Sequence, residues 1–380
     1  MSADTRFDIT IIGAGIAGAS LAWQLAAQGR VLMLERESQP GYHSTGRSAA
    51  MFMESYGPPQ ARALTRASRA LYAAPPIDFG TTPVLAPRGA LYVGWQGQEA
   101  LLDATQRSLR STGTAIDRLD KAATLQLVPV LRAQGLAGAL YEADAMDVDV
   151  HVLHQGFLRG ARRRGAVLCC DAELASAQRE AGRWLLTLAD GQRLHTDVVV
   201  DAAGAWADVV AQRCGARPVG LQPKRRSAFT FDAPAGVDHR PWPTTAGIDD
   251  SWYIKPDAGQ LLGSPANAEP VQPQDVQPEE LDIATAIGRI EADTTLRIGR
   301  PRRTWAGLRS FAPGGELVIG FDPDCAGFFW LAGQGGYGIQ SAAGAALLAA
   351  DLLHGRPLSD ALQGHGVAAA PMSAARLRTP

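Results

Sequence analysis

The stretch that decides the fold is ITIIGAGIAG, residues 9–18. Its first four residues are all β-branched and predict a buried strand, which a glycine-rich turn follows at once. Gly13 permits a tight turn, Gly15 lets the backbone approach a pyrophosphate, and Gly18 lets the next helix pack closely on the strand. A short helix is predicted over residues 19–28, and its N-terminus favours the negative charge of a phosphate.

A second strand is predicted over residues 31–34, and Glu35 follows it, 22 residues after Gly13. A carboxylate at this position binds the ribose hydroxyls of a dinucleotide and disfavours a 2′-phosphate. A GxGxxG motif alone is weak evidence, but strand, turn, helix and acid occur here in the expected order. We therefore predict a dinucleotide-binding site rather than a purely structural turn.

The bulk composition excludes several classes of protein. The 380 residues are enough for two domains, and hydrophobic residues make up 46% of them, which suits a large globular core. The net charge of -2 gives no overall field that attracts nucleic acid or an anionic membrane, so neither is expected as a partner. No metal site or disulfide framework is expected, because neither the spacing nor the number of the cysteines suits one: Cys169, Cys170, Cys214 and Cys325.

The sequence shows no sign of a targeting or membrane segment. The first apolar strand begins almost at once, without a basic region before it. The longest apolar helix, near residues 342–353, is too short to span a bilayer. We therefore expect a cytoplasmic protein without an integral membrane segment.

Three later segments favour FAD over NAD, because a buried flavin needs contacts from remote parts of the chain. Residues 43–50, HSTGRSAA, offer small residues, hydroxyls and a cation to the linker between pyrophosphate and flavin. Residues 200–206, VDAAGAW, end a strand in small residues that let the backbone pass close to a cofactor. Residues 335–338, GGYG, open the last helix, whose dipole stabilises negative charge on a reduced flavin. No cysteine or histidine is convincingly placed for a covalent bond to the ring, so non-covalent FAD is expected.

Over essentially its whole length the chain resembles the D-amino-acid oxidase/dehydrogenase superfamily of FAD enzymes, and within it the bacterial D-arginine dehydrogenases. The stretches that carry the resemblance are GYHSTGRSAA (41–50), LQPKRRSAF (221–229), LGSPANA (262–268), WAGLRSF (305–311) and QGGYGIQ (334–340). The resemblance implies an α/β fold in which a Rossmann-like FAD-binding domain is interleaved with an α+β substrate domain on an antiparallel β-sheet. The expected FAD-binding domain comprises residues 1–76, 147–219 and 316–380, and the expected substrate-binding domain comprises residues 77–146 and 220–315.

The motifs and the resemblance together give a set of candidate cofactor-binding residues. They are Gly13, Gly15, Ala17, Gly18, Glu35, Arg36, Ser44, Thr45, Gly46, Arg47, Ser48, Ala49, Ala50, Glu173, Ala203, Gly204, Trp206, Gly335, Gly336, Tyr337, Gly338, Ile339 and Gln340.

The resemblance also implies a substrate site. Arg226 and Arg309 match the arginines that hold the substrate carboxylate, a role that suits a planar guanidinium because it can form two parallel hydrogen bonds to a carboxylate. Tyr56 and Tyr253 match tyrosines that face the substrate and hydrogen-bond its carboxylate or amine. The alternative interpretations are surface salt bridges for the arginines and core aromatics for the tyrosines.

The expected pocket, completed by Gly336, departs from the D-arginine dehydrogenase pattern. Ala90 stands where those enzymes carry the acid that pairs with the substrate guanidinium, and Met51 and Met53 replace a histidine and a threonine. A buried unpaired guanidinium is penalised, so D-arginine and D-lysine are expected to be poor substrates and a neutral, rather apolar side chain a good one. A replacement acid from elsewhere, such as Glu54, is the alternative.

The predicted reaction is oxidation of a D-amino acid by hydride transfer from Cα to flavin N5, which gives an imino acid and then a keto acid and ammonia. The alternative substrates on the same fold are a 2-hydroxy acid, a glycine- or sarcosine-type amine, and glycerol phosphate. An alternative of another class is a non-catalytic FAD-binding subunit. The sequence does not predict whether a quinone, another carrier or O2 accepts the electrons.

Overall fold

The computed structural model describes residues 6–378. The strands in this range are β1 (Arg6–Ile12), β2 (Val31–Leu34), β3 (Met51–Phe52), β4 (Leu85–Pro87), β5 (Ala90–Trp95), β6 (Asp117–Leu119), β7 (Leu136–Glu142), β8 (Met146–Val148), β9 (Val167–Cys169), β10 (Leu174–Glu180), β11 (Arg183–Leu188), β12 (Arg193–Asp201), β13 (Gln222–Phe231), β14 (Thr244–Gly247), β15 (Tyr253–Asp257), β16 (Gln260–Ser264), β17 (Glu269–Pro270), β18 (Arg303–Phe311), β19 (Val318–Phe321) and β20 (Phe328–Ala332). The α-helices are α1 (Ile16–Leu25), α2 (Pro59–Ala73), α3 (Glu99–Ser111), α4 (Lys121–Leu127), α5 (Val150–Arg163), α6 (Ala207–Arg213), α7 (Glu280–Asp293), α8 (Gly338–Leu353) and α9 (Asp360–Gln363). Within residues 6–378, no helix combines the length and the apolar character needed to cross a bilayer.

The first sheet is built on five parallel strands in the order β9-β2-β1-β12-β20. Antiparallel strands extend it, with β11 beside β12, β10 beside β11, and β19 beside β20. Strand β2 lies directly beside β1 and is joined to it through α1, which is the arrangement of a Rossmann-like unit. The α/β fold class predicted from the sequence is therefore confirmed.

Helices cover both faces of the first sheet. On one face α1, α5 and α8 pack together, and Leu21, Phe157 and Ala345 are buried among them. On the other face α6 packs through Val210 near the buried Trp330 of β20. Full burial of a leucine or phenylalanine side chain contributes about 1.5–3 kcal/mol, so these contacts hold the β1–α1 turn on a rigid base.

The second sheet has the order β18-β13-β16-β15-β14-β5-β7-β6, and β17 also pairs with β13. Strands β14 and β5 pair in parallel and the other pairs are antiparallel, so the sheet predicted as antiparallel is mixed. The exception arises because β5 and β14 come from distant segments, and no tight hairpin sets their relative direction.

Helix α7 covers one face of the second sheet. Its residues Ile283 and Ile290 pack there in the same buried cluster as Phe229 of β13. Because successive residues of a strand point to opposite faces, Ala228 and Arg226 point away from α7. On this second face α3 packs against β5 and β7, where Leu102 and Leu140 are buried together.

Most predicted elements are present with small shifts. The helix predicted over residues 19–28 is α1, which begins at Ile16. The region 101–135, predicted as mostly helical, contains α3 and α4 with strand β6 between them. The sequence does not predict β10, because most of its residues are exposed or half-buried and give no clear alternation.

The two large sheets draw their strands from alternating parts of the chain. Strands of the first sheet lie within residues 6–34, 167–201 and 318–332, and those of the second within residues 90–142 and 222–311. The chain therefore passes between the sheets several times. The domain limits stay a prediction, and residues 1–5 and 379–380 of the expected FAD-binding domain lie outside the described residues.

Candidate active site

Residues from both large sheets line one cleft of about 810 Å³, a volume within the range of about 300–1,000 Å³ found for ligand and cofactor sites. Most residues predicted for the site line this cleft: Gly13, Gly15, Ala17, Glu35, Arg36, Ser44, Thr45, Arg47, Ser48, Ala49, Ala50, Met51, Met53, Tyr56, Ala90, Glu173, Ala203, Gly204, Trp206, Arg226, Tyr253, Arg309, Gly335, Gly336, Gly338, Ile339 and Gln340. The cleft thus connects the predicted cofactor residues with the predicted substrate residues.

Three predicted cofactor residues do not line the cleft. A Cβ at Gly18 would lie 1.9 Å from the Gly13 carbonyl oxygen, so this glycine serves helix packing. The Gly46 N–H donates to the Gly41 carbonyl at 2.8 Å and closes a turn. The buried ring of Tyr337 packs edge-on against Tyr56, with 5.6 Å between ring centroids. All three support residues that line the cleft without lining it themselves.

The glycine turn and Glu35 form one hydrogen-bonded unit. Gly13 has a φ of +101°, and a Cβ there would lie 2.6 Å from the Ala202 carbonyl oxygen, so only glycine fits. One Glu35 carboxylate oxygen accepts from the Ala14 N–H at 3.0 Å and the other from the Glu37 N–H at 3.0 Å. The carboxylate is therefore fixed at the cleft wall, only 8% exposed, where it can accept from ribose hydroxyls.

The loop of residues 41–50 rests on the start of α1. The Thr45 hydroxyl oxygen accepts from the Ile16 N–H at 3.0 Å and so occupies one of the free amides at this helix end. The Ser44 hydroxyl donates to the Leu308 carbonyl at 2.7 Å. This loop therefore joins the glycine turn to strand β18 of the second sheet.

The Arg47 side chain is bound within the protein. Its guanidinium donates to the carbonyls of Val276 and Ala306, both at 3.1 Å, and pairs with Asp275 at 2.5 Å. The sequence predicts a cation offered to the pyrophosphate–flavin linker. This cation pairs with Asp275 and also lines the cleft, so its contact with the linker stays a prediction. The pairing is not evident from the sequence, since the partner acid lies more than two hundred residues further along the chain.

An aromatic and charged cluster lines the cleft at the Glu35 end. The Arg36 guanidinium lies 4.4 Å from the centre of the Trp206 ring, and the His43 ring lies 4.5 Å from the same ring. His43 also pairs with Glu37 at 2.8 Å between Nε2 and Oε1. Glu173, across the cleft wall, pairs with Arg213 at 2.7 Å. Such stacked planar groups suit the adenosine half of a dinucleotide.

The end of the cleft away from Glu35 carries hydrogen-bonding groups without partners among the described residues. Both polar side-chain atoms of Gln334 are buried, and neither has a partner among the described residues. Gln334 lines the cleft just before α8, next to the backbone of Gly335 and Gly338. Buried polar atoms are almost always bonded, so a ligand with its own donors and acceptors fits here. The cleft volume, the crowded glycine turn and these groups together fit FAD.

Arg226 and Arg309 lie on the same face of adjacent strands. The register pairs Arg226 with Gly307 and Lys224 with Arg309, which sets the two arginines diagonally across β13 and β18. Neither forms an ion pair within residues 6–378, and Arg226 Nε has no hydrogen-bond partner there. Burial, and then the charge of Arg309, lower the pKa of Arg226. Two unpaired cations facing one cleft provide a strong site for an anion.

The neighbouring Arg225 shows the contrast. It points to the other face of β13, is 8% exposed, and pairs with three carboxylates: Glu269, Glu279 and Asp282. The basic run 224–226 therefore contains one structural arginine and one that faces the cleft. Alternation along the strand separates the two roles.

Tyr56 and Gly336 complete this end of the cleft. The Arg309 guanidinium donates to the Tyr56 hydroxyl at 3.3 Å. A Cβ at Gly336 would lie 2.9 Å from that hydroxyl and 3.3 Å from the Arg309 guanidinium carbon, so the space is reserved for the two side chains. Gln340 holds the Tyr56 loop, because its amide donates to the carbonyls of Met53 and Tyr56 at 3.2 and 3.1 Å.

The structure adds residues that the sequence does not predict. Lys255 and Thr244 line the pocket beside Met51 and Ala90, so its wall is less apolar than the sequence predicts. Asp250 also lines the cleft; desolvation raises the pKa of its carboxyl, while nearby arginines oppose that rise. Only strand register and turn geometry bring these residues to the site, and no local motif marks them.

Glu54, the alternative acid considered for the pocket, has another role. It pairs with Arg69, whose guanidinium stacks over the Phe52 ring at 4.9 Å. It does not line the cleft. No group of three or more His, Cys, Asp or Glu side chains in the described part of the chain is arranged to hold a metal ion.

Comparison with known proteins agrees with this geometry. The family model DAO, described as FAD dependent oxidoreductase, matches residues 8–352. The chain belongs to the DAO family. FAD is the cofactor of this family of oxidoreductases, and the cleft residues described above would hold it in this enzyme: the glycine turn and Glu35 at one end, Gln334 and the start of α8 at the other.

Several known proteins resemble the chain over almost its full length. Glycine oxidase from Geobacillus kaustophilus (strain HTA426) is 24% identical over 92% of this chain and 93% of its own. The crystal structure of glycine oxidase from Geobacillus kaustophilus has a TM-score of 0.82 at 23% identity, covering 97% of this chain and 98% of that one. An FAD-bound L-alpha-glycerophosphate oxidase from Mycoplasma pneumoniae has a TM-score of 0.83 at 15% identity, covering 92% and 95%. These relatives do not support the narrower expected resemblance to D-arginine dehydrogenases.

Proposed function

We propose that this DAO-family enzyme oxidatively deaminates a D-amino acid with a neutral, largely apolar side chain. The observation that carries the proposal is the pair Arg226 and Arg309, two guanidiniums without carboxylate partners among the described residues. They face the same cleft that the glycine turn lines. A substrate with a carboxylate satisfies both cations.

The chain's own residues hold the substrate by that carboxylate. Arg226 and Arg309 offer planar donor pairs, and the Tyr56 hydroxyl, already bonded to Arg309, offers one further polar contact. Fixing the carboxylate decides which enantiomer presents its Cα–H bond to the cofactor. Holding the reacting atoms about 3–3.5 Å apart removes much of the entropic cost of the reaction.

The amine has to be neutral when its Cα–H bond breaks, because its lone pair forms the imine. Two nearby guanidiniums disfavour an ammonium ion, whereas Asp250 favours it. FAD, when bound, supplies the two-electron oxidant that accepts the hydride from Cα. Water then converts the released imino acid to a keto acid and ammonia.

The choice of side chain rests on the pocket beyond the arginines. Met51, Met53 and Ala90 line it, and none of them offers a negative charge to a guanidinium or ammonium side chain. The preference for D over L stereochemistry rests on the sequence resemblance.

An anaerobic substrate panel with the flavin-loaded protein tests the proposal. Neutral D-amino acids are expected to remove the visible flavin absorbance, with D-arginine, D-lysine and the L-enantiomers at least tenfold slower. Faster bleaching by D-arginine or by an L-amino acid contradicts the side-chain or stereochemical part. No bleaching by any amino acid contradicts the function itself.

Glycine or a glycine-type secondary amine is the second candidate. The observation in its favour is the likeness to glycine oxidase over more than nine tenths of both chains. The same panel separates the two, because glycine and sarcosine have no side chain for the Met51–Ala90 part of the cleft. Reduction by glycine or sarcosine faster than by any larger amino acid favours this candidate. The 2-hydroxy acids and glycerol phosphate complete the panel.

A further inference from the structure

The distal end of the cleft is a row of side chains across the second sheet. The row consists of Lys255, Thr244 and Ala90, and all three line the cleft. Thr244 of β14 pairs with Ala90 of β5. Lys255 and Thr244 lie one step beyond the pair Thr245–Ile254, so they are cross-strand neighbours on the same face. The floor of this end is therefore Lys255, Thr244 and the small Ala90.

The small sheet β3-β8-β4 lies beside this row. The Thr244 hydroxyl approaches Met51 Sδ at 3.1 Å, and Met51 of β3 pairs with Asp147 of β8. Asp147 in turn accepts from the Lys255 ammonium at 2.7 Å. The side chain of a bound substrate would thus end between the Lys255 row and the Met51 strand.

Charge at this end is unbalanced. Asp147 also accepts from the Arg88 guanidinium at 2.6 Å, so one carboxylate serves two cations. The Lys255 side chain is only 7% exposed, and Asp147 is the one hydrogen-bond partner of its three N–H donors within residues 6–378. Arg88 lines only a second pocket, together with Asp147, whereas Lys255 lines both that pocket and the cleft. Of the two cations, only Lys255 is therefore within reach of a substrate in the cleft.

We propose that Lys255 binds an oxygen acceptor, an amide or carboxylate, at the end of the substrate side chain. This inference rests on the proposed function and amends its substrate class: an amide keeps the side chain neutral, whereas a carboxylate would make it acidic. A buried ammonium with unfilled donors is stabilised by such an oxygen and gains nothing from a methyl group. A cationic side chain meets a like charge there, which adds to the expected exclusion of arginine and lysine.

The test compares kcat/KM for D-glutamine and D-glutamate with that for D-norleucine in three flavin-loaded variants. Lys255→Met is expected to lower the ratio of acceptor substrate to D-norleucine by about 10- to 100-fold, the loss of one hydrogen bond to a charged group. Lys255→Arg is expected to keep the ratio within about threefold. If Lys255→Met lowers the relative kcat/KM of D-glutamate more than that of D-glutamine, the carboxylate is the better ligand. The reverse result identifies the amide.

Arg88→Met is the matched control, because it removes a cation from the same Asp147 without changing the cleft wall. Its substrate ratio is expected to stay near that of the parent enzyme. Binding without turnover gives a second measurement that does not depend on whether a variant folds. By calorimetry, the parent enzyme is expected to bind glutarate at least tenfold more tightly than pentanoate.

Two results overturn the inference while the proposed function stands. One is an unchanged substrate ratio in Lys255→Met with D-amino acids still oxidised, and the other is equal affinity for glutarate and pentanoate. No flavin reduction by any D-amino acid overturns the proposed function, and the affinities for glutarate and pentanoate then test the Lys255 site without it.

Discussion

Arg309 donates a hydrogen bond to the hydroxyl of Tyr56 across 3.3 Å, joining strand β18 to the loop that precedes α2. The two groups meet beside Gly336, where no side chain could be accommodated without displacing them. Because Arg309 has no carboxylate partner in the described part of the chain, the Tyr56 oxygen orients its guanidinium without neutralising it. The charge remains available to a substrate acid.

Replacing Arg309 with Met should lower kcat/KM for the best amino acid by a factor of about 30 or more. Removing one partner of a desolvated charge pair costs about 2–5 kcal/mol. The matched control is Lys224→Met, which removes a cation from the residue directly opposite Arg309 in the register. Steady-state kinetics should show the control within about threefold of the parent, and equal losses in both variants would argue that overall charge matters rather than the Arg309 position.

Gly336→Ala should raise KM roughly tenfold or more while FAD stays bound. The new methyl group would lie 2.9 Å from the Tyr56 hydroxyl and 3.3 Å from the Arg309 guanidinium, and overpacking of this kind costs about 1–3 kcal/mol. Gly288→Ala is the control, since a Cβ at that position of α7 meets no atom within 4 Å. An unchanged KM in Gly336→Ala would mean that the two side chains can move apart freely.

Glu35→Ala should weaken FAD binding by about tenfold or more. The substitution removes the acceptor of the Ala14 and Glu37 N–H groups together with the expected ribose contact, and a buried unsatisfied donor costs about 1–3 kcal/mol. Equilibrium dialysis of FAD against the flavin-free protein measures the change. Glu180→Ala, an exposed carboxylate on β10, should bind FAD like the parent. Parent-like affinity in Glu35→Ala would remove this residue from the cofactor site.

His154→Gln should reduce the loss of stability on acidification. Burial lowers the pKa of His154, whose ring pairs with the Ala14 carbonyl at 2.9 Å. The unfolded chain therefore takes up this proton more readily, so the stabilising contribution is complete above the ordinary pKa near 6.5 and is lost as the pH falls towards the lowered value.

Thermal unfolding of the flavin-loaded protein at pH 7.5 and 5.5 measures that contribution. The drop in Tm between the two conditions should be smaller in His154→Gln than in the parent. The exposed His365→Gln should behave like the parent. An identical pH dependence in all three proteins would assign the acid sensitivity to other groups.

The glycine turn could be predicted from sequence because its determinants are local. Gly13, the strand before it and Glu35 lie within about thirty residues, and each acts through backbone geometry that the residue type dictates. The chemistry of Arg226 and Arg309 could be named through family resemblance. Their position on one face then follows from strand alternation.

The remaining features depend on pairings that no local pattern records. Lys255 reaches the cleft only because β15 pairs with β14, and β14 pairs in parallel with β5, more than 150 residues earlier in the chain. Asp250 depends on a turn in which its φ is +55°. Arg47 looks free in the sequence because its partner Asp275 is remote.

The loop of residues 41–50 has a consequence for how this enzyme loses its cofactor. Thr45 fastens the loop to α1, while Ser44 and Arg47 fasten it to the second sheet, and the Trp305 indole N–H donates back to the Arg47 carbonyl at 3.1 Å. We therefore expect release of the flavin to loosen the contacts between this loop and the second sheet, which carries the substrate arginines. Heating should release the flavin and unfold the substrate sheet in a single step, so the separation of flavin from protein can report the integrity of the whole molecule.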